Sequence, residues 1–164
     1  SRGPRYSSWS YSFTTGRVEP FGSIESDIPP DATFSPNGKW VAYMWRNANQ
    51  FLIFAQPFPA NGTKYQVVEG GILPAWGADG RSIFYFHGAG IFARVNVATS
   101  TVFAPGVPVD LAFKFNGGGG QTAHRGYDPT KGGRFLGMVR VPEPDAPPPG
   151  VHVVLNWLQE ILRN

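Results

Sequence analysis

The stretch FSPNGKWVAYMW, Phe34 to Trp45, decides how this chain folds. Its first part, Ser35-Pro36-Asn37-Gly38, is a tight-turn signal. Pro36 presets φ for the first corner of a type I turn and Asn37 suits the second. Gly38 supplies the left-handed residue that closes a hairpin with a bulge. The strand after the turn is less ordinary. A strand with one wet face alternates apolar and polar side chains. Here Trp40, Ala42 and Met44 take one face, and Val41, Tyr43 and Trp45 take the other. Neither set is polar, so the strand expects protein on both sides.

The pattern recurs. WGADGRSIFYFH begins at Trp76 and DPTKGGRFLGMV at Asp128. Each has a turn, a glycine (Gly38, Gly80, Gly133), one basic residue, then a strand apolar on both faces. The first two glycines are 42 residues apart and the next two 53, the excess falling at the loop-like FNGGGGQTA, Phe115 to Ala123. A period near 42 with strand content predicts the four-stranded blade of a β-propeller, in which neighbouring blades cover both faces of the second strand. Helices on a parallel sheet would give the same cover, but the chain has almost no helical period. The expectation is therefore all-β, with about three blades of a partial propeller. Strands are expected near 8–24 (two outer strands of an earlier blade, turning at Thr15-Gly16), 31–69, 73–113 and 124–155. The last blade is interrupted by the Pro-rich Val141 to Gly150. NWLQEILRN predicts a short C-terminal helix over 156–162, capped by Asn156 with Gln159 at the capping-box position.

These turns carry a family likeness. FSPNGKWVAY and WGADGRSIFY resemble the TolB-like propeller repeat, an aromatic-Ser-Pro-Asp-Gly-Lys turn before an apolar strand. The continuation through IFYF, RGYDPTKGGRFLGMV and VVLNWLQEI is similar to the last blades of bacterial TolB-like propellers attached to membrane-bound serine/threonine protein kinases. The resemblance spans residues 8–162 and implies fold far more than function. It also implies an extracytoplasmic, periplasmic setting in a bacterium. Two departures stand out. The third turn reads Thr130-Lys131-Gly132-Gly133, and the chain supplies about half the blades usual in such propellers. No kinase motif is present, so no kinase activity carries over.

Composition agrees with a packed chain. Of 164 residues, 15% are aromatic and 15% charged, which argues against disorder. Gly 21 and Pro 16 provide frequent turns. The net charge is only +3 and the basic residues are scattered, so no stripe exists to track nucleic acid. There is no cysteine, hence no disulfide, thiolate metal site or cysteine nucleophile. No apolar run approaches the roughly 20 residues of a membrane helix, so direct membrane insertion is not expected. The chain opens on SRGPRYSSWS without Met, as a mature or excised piece of a longer protein would.

Chemistry-bearing residues are few. His87, His124 and His152 have no metal spacing, and no nucleophile elbow G-x-S-x-G exists. His124 is expected on an inner strand, where propellers line their channel, and with Arg125 and Asp31 forms a candidate set for a polar ligand, against the plainer reading of a structural or solvated histidine. His87 and His152 read as structural. Asp79 and Asp128 are explained by their turns, although carboxylate pairs for glycoside hydrolysis stay open among Asp31, Asp79, Asp110 and Asp128. GGGG at Gly117 to Gly120 lacks the Lys-Ser/Thr and helix of a phosphate loop. Asn61-Gly62-Thr63 fits a sequon or a hairpin turn. Tyr6, Trp9 and Tyr11 fit a sugar or peptide platform, or half of an inter-blade face. The reading that results is a non-catalytic interaction or sensing module with protein or peptide partners, no catalytic residues, no cofactor and no metal. The alternative is a hydrolase (peptidase, esterase or glycosidase), or its accessory propeller, with a polar site at the channel mouth. Because three blades leave apolar ends bare, a homodimer or completion by another chain is expected.

Overall fold

The computed structural model describes residues 5–47, 50–88, 90–100, 102–113, 115 and 125–139. Strands make up 57% of them and no helix occurs among them. The expected helix over 156–162, the strand at 151–155 and the Pro-rich excursion lie outside the described residues.

Among the described residues, four antiparallel units succeed one another along the chain. The first is a hairpin of β1 (Tyr6–Tyr11) and β2 (Val18–Ser26). The second is a four-stranded meander of β3 (Ala32–Phe34), β4 (Trp40–Asn47), β5 (Gln50–Pro57) and β6 (Tyr65–Glu69), paired in sequence order. The third has β7 (Gly71–Trp76), β8 (Ser82–His87) and β9 (Ile91–Ala98) in order. Its outer edge is split into β10 (Ala104–Pro105) and β11 (Val109–Asp110), both paired to β9. The sequence pattern predicts one outer strand over 108–113 instead. Pro105 and Pro108 each lack the N–H a ladder needs, so the edge is held only in two-residue pieces. The fourth unit is a hairpin of β12 (Tyr127–Pro129) and β13 (Phe135–Gly137).

The turn chemistry is as the sequence implies. Gly38 N–H donates to Ser35 O (2.9 Å) and Gly80 N–H to Gly77 O (2.9 Å). Asn37 Oδ1 accepts from Lys39 N–H (3.0 Å), and Asp79 Oδ1 from Arg81 N–H (2.9 Å). Gly38 and Gly80 sit at φ 70° and 67°, where a Cβ is disfavoured. The third turn differs as its sequence does. Ser35 N–H closes on Trp40 O and Gly77 N–H on Ser82 O, five residues on, whereas Thr130 N–H closes on Arg134 O, four residues on, with Gly132 and Gly133 both left-handed.

The double-sided apolar strand has its explanation in the packing. Val41 and Tyr43 face the first hairpin, in a core with Phe21 and Ile24. Ala42 faces the opposite way, into a core shared with Ile53, Ile83, Tyr85 and Val95. Trp40 closes that core through ring contacts to Tyr65 and to Phe103 of the third unit. β8 repeats the arrangement: Ile83 and Tyr85 face the second unit, while Phe86 packs with Phe92 and Tyr127 towards the last hairpin. Each central strand thus separates two cores, and Val41, Tyr43, Ile83 and Tyr85 are buried. Trp40, Phe84 and Phe135 are partly buried. Leu136, which the apolar pattern places inside, is instead 73% exposed. It lies on the face of β13 opposite Phe135, and Phe135 takes the ring contact with Phe84.

Candidate functional site

The candidate site lies where the first strands of the last three units approach one another. β7 carries its irregularity here: the register with β8 slips between Ile72 and Ala75, and Leu73 takes φ 54°. A bulge of this kind turns carbonyls out of the ladder. β12 captures them. The Tyr127 hydroxyl is 2.8 Å from both Leu73 O and Phe84 O, its one proton shared between two acceptors. Arg125 Nη1 donates to Pro74 O at 3.0 Å, and its Nη2 stands 3.9 Å from Asp128. Burial drives the Tyr127 pKa well above the ordinary tyrosine value. Arg125 opposes that shift, and the charges of Asp31 and Asp128 add to it. The charge of Asp31 thus reaches Tyr127, and the Asp31 backbone carbonyl accepts from Met44 N–H at 3.1 Å.

Of the predicted ligand set, Arg125 stands beside Tyr127 at β7, Asp31 acts on Tyr127 through its charge, and His124 lies outside the described residues. In the sequence Asp128 is accounted for by its turn, and Tyr127 lies within RGYDPTKGGRFLGMV with no role of its own attached. The one signal for the latch is Pro74, a strand proline that marks a bulge; nothing in Leu73 itself announces a left-handed backbone. The junction holds a cation, a carboxylate and a neutral phenol, with the guanidinium already engaged by a carbonyl. That is a set for hydrogen bonding and for holding a polar group.

His87 forms a second polar contact. Its Nε2 is 2.8 Å from Asp110 Oδ1, tying the end of β8 to β11. Burial, with Asp110 adding to it, raises the pKa of Tyr85 beside this pair. A histidine oriented by a carboxylate is two-thirds of a hydrolytic triad, yet no serine or threonine hydroxyl hydrogen-bonds to His87 among the described residues. No group of three His, Asp or Glu side chains suited to a metal occurs among the described residues. No helix among them is long and apolar enough to cross a membrane. At the sequon-like Asn61-Gly62-Thr63, Thr63 N–H donates to Asn61 Oδ1 (3.0 Å) with Gly62 at φ 85°, a self-sufficient turn.

In comparisons with known proteins, no family model, no curated protein and no solved structure matches the chain.

Proposed function

We propose that this chain is a non-catalytic interaction or sensing module made of TolB-like β-propeller blades, completed into a closed propeller by a second copy or by another chain. The observation that carries the proposal is the packing of the central strands. β4 and β8 each bury one face against the unit before and one against the unit after. Successive antiparallel units stacked face to face are what blades around an axis require. The junction of Asp31, Arg125 and Tyr127 then sits where first strands line the axis, and serves as a polar contact for a peptide or protein partner.

Both ends of the stack support completion by another chain. On the first hairpin Trp9 (61% exposed), Tyr11, Phe13 and Val18 are open. On the last, Leu136, Met138 and Val139 are open. Several exposed apolar side chains on one unit support an interface there. Sedimentation velocity at micromolar concentration tests it. A dimer or larger assembly is the expected species; a stable, folded monomer of 17.9 kDa would overturn the half-propeller reading. The non-catalytic part is tested by a panel of ester, peptide and glycoside substrates. No turnover is expected. Turnover abolished by His124→Ala or His87→Ala would establish the hydrolase instead.

A further inference from the structure

The third and fourth units leave a cleft between them that the axial junction does not use. It encloses about 400 Å³ and is bounded by the turn after β7 and the turn after β12. Phe84, Leu111 and Phe135 form its apolar wall, and Arg94, Lys131 and Arg134 bring three positive charges. The only opposing charge among its described lining residues is Asp79, one of whose oxygens already accepts from the Arg81 N–H.

Arg94 is the unusual member. It is the central residue of β9, paired with Phe84 on one side and Val109 on the other. On the same face of β9, two residues earlier, Phe92 is fully packed in the core under the last hairpin. A position of that kind ordinarily carries an apolar side chain. Instead Arg94 stands there with its Nε buried and without a hydrogen-bond partner. It makes no salt bridge with any described carboxylate. A buried guanidinium N–H left unsatisfied is costly unless something supplies an acceptor. Lys131 and Arg134 likewise make no salt bridge among the described residues. Mutual repulsion of three cations that no described carboxylate pairs is relieved by an anion.

We propose that this cleft binds a small organic anion, a carboxylate or phosphate ester with an apolar body, its charged head on Arg94, Lys131 and Arg134. Arginine fits because its planar fork matches two oxygens of either head group. The apolar body lies against Phe84, Leu111 and Phe135. An inorganic ion would satisfy the charges and leave that wall wet, so the body adds affinity.

Isothermal titration of the full chain with phenyl phosphate, phenylacetate and inorganic phosphate tests the proposal. Binding of one or both aromatic probes with Kd of about 1 mM or tighter, and weaker binding of phosphate, is expected; the stronger aromatic probe identifies the head group. Arg94→Gln should weaken it about tenfold or more, and Arg94→Lys, which keeps the charge and loses the fork, by an intermediate factor. Should Arg94→Gln not fold, as judged by its melting curve, Lys131→Ala and Arg134→Ala on the rim supply the test, each with about threefold loss. Arg81→Gln, outside the cleft, should bind as the parent does. Absence of binding by both aromatic probes, or binding equal in the parent and in Arg94→Lys and Lys131→Ala, would overturn it.

Discussion

Tyr127 is the residue on which the last hairpin hangs. Its ring packs edge-on to Phe86 and Phe92, and its hydroxyl serves two carbonyls of the preceding sheet. Tyr127→Phe keeps the ring and leaves both carbonyls short of a donor. A loss of about 1–3 kcal/mol in urea unfolding is expected, the cost of a buried group left unsatisfied; no change would mean that water replaces the hydroxyl. The same chemistry fixes an alkaline response. Burial pushes the Tyr43 pKa up to about 12 and raises that of Tyr127 well above normal. In the unfolded chain both titrate near 10. The folded state then holds protons that the unfolded state releases, so stability falls as pH rises. The contribution is complete below about pH 10 and, for Tyr43, is lost as the pH rises through about 12. Melting temperatures should fall across that window, and less steeply in Tyr43→Phe.

Among the elements, the central strands carry the stability and the last hairpin carries one face only. Phe86 on β8 is fully buried, and Phe86→Ala should cost about 3–5 kcal/mol, as for other buried phenylalanines. Leu136 on β13 is mostly exposed, so Leu136→Ala should change stability by about 0.5 kcal/mol or less. A large loss there would show that the outer face of β13 is covered in solution. Gly71 tests how tightly the second and third units approach. A Cβ at that position would stand 2.7 Å from Ile53 Cδ1 and 2.8 Å from Val68 Cγ1, both on the facing sheet. Gly71 does not have a left-handed backbone, so the effect of Gly71→Ala is purely steric. Overpacking of this size costs about 1–3 kcal/mol, readable as a lower urea midpoint.

At the scale of the whole molecule, the outcome depends on the two apolar ends. Among the described residues, each central strand is stabilised from both sides, whereas the first and fourth units are stabilised from one. If the ends meet those of another copy, charge placed on them should release monomer. Trp9→Asp and Leu136→Asp are each expected to shift sedimentation towards the monomer and to weaken the dependence of melting temperature on protein concentration that an assembling parent shows. An unchanged assembly in both variants would place the interface elsewhere.

The sequence by itself determined the turns and the strands beyond them. Gly38 and Gly80 need left-handed backbone, Asn37 and Asp79 bond their own loops, and both constraints act within about five residues. The strands that the pattern places near 39–45, 51–57, 64–69, 82–87 and 90–97 are β4, β5, β6, β8 and β9, each beginning and ending within about two residues of those bounds. The sequence also required two-sided burial of β4 and β8, because no polar face was available to meet water. Tertiary structure alone decided what each face meets. The bulge at Leu73 is a leucine in a strand until Tyr127 and Arg125, far along the chain, reach its carbonyl and that of Pro74. Leu136 reads as core because its neighbours do, and is exposed because Phe135 takes the single buried face. Nothing in the sequence singles out Arg94. It becomes the floor of a charged cleft only when the last hairpin lies over it, since long-range packing sets the solvent each side chain sees.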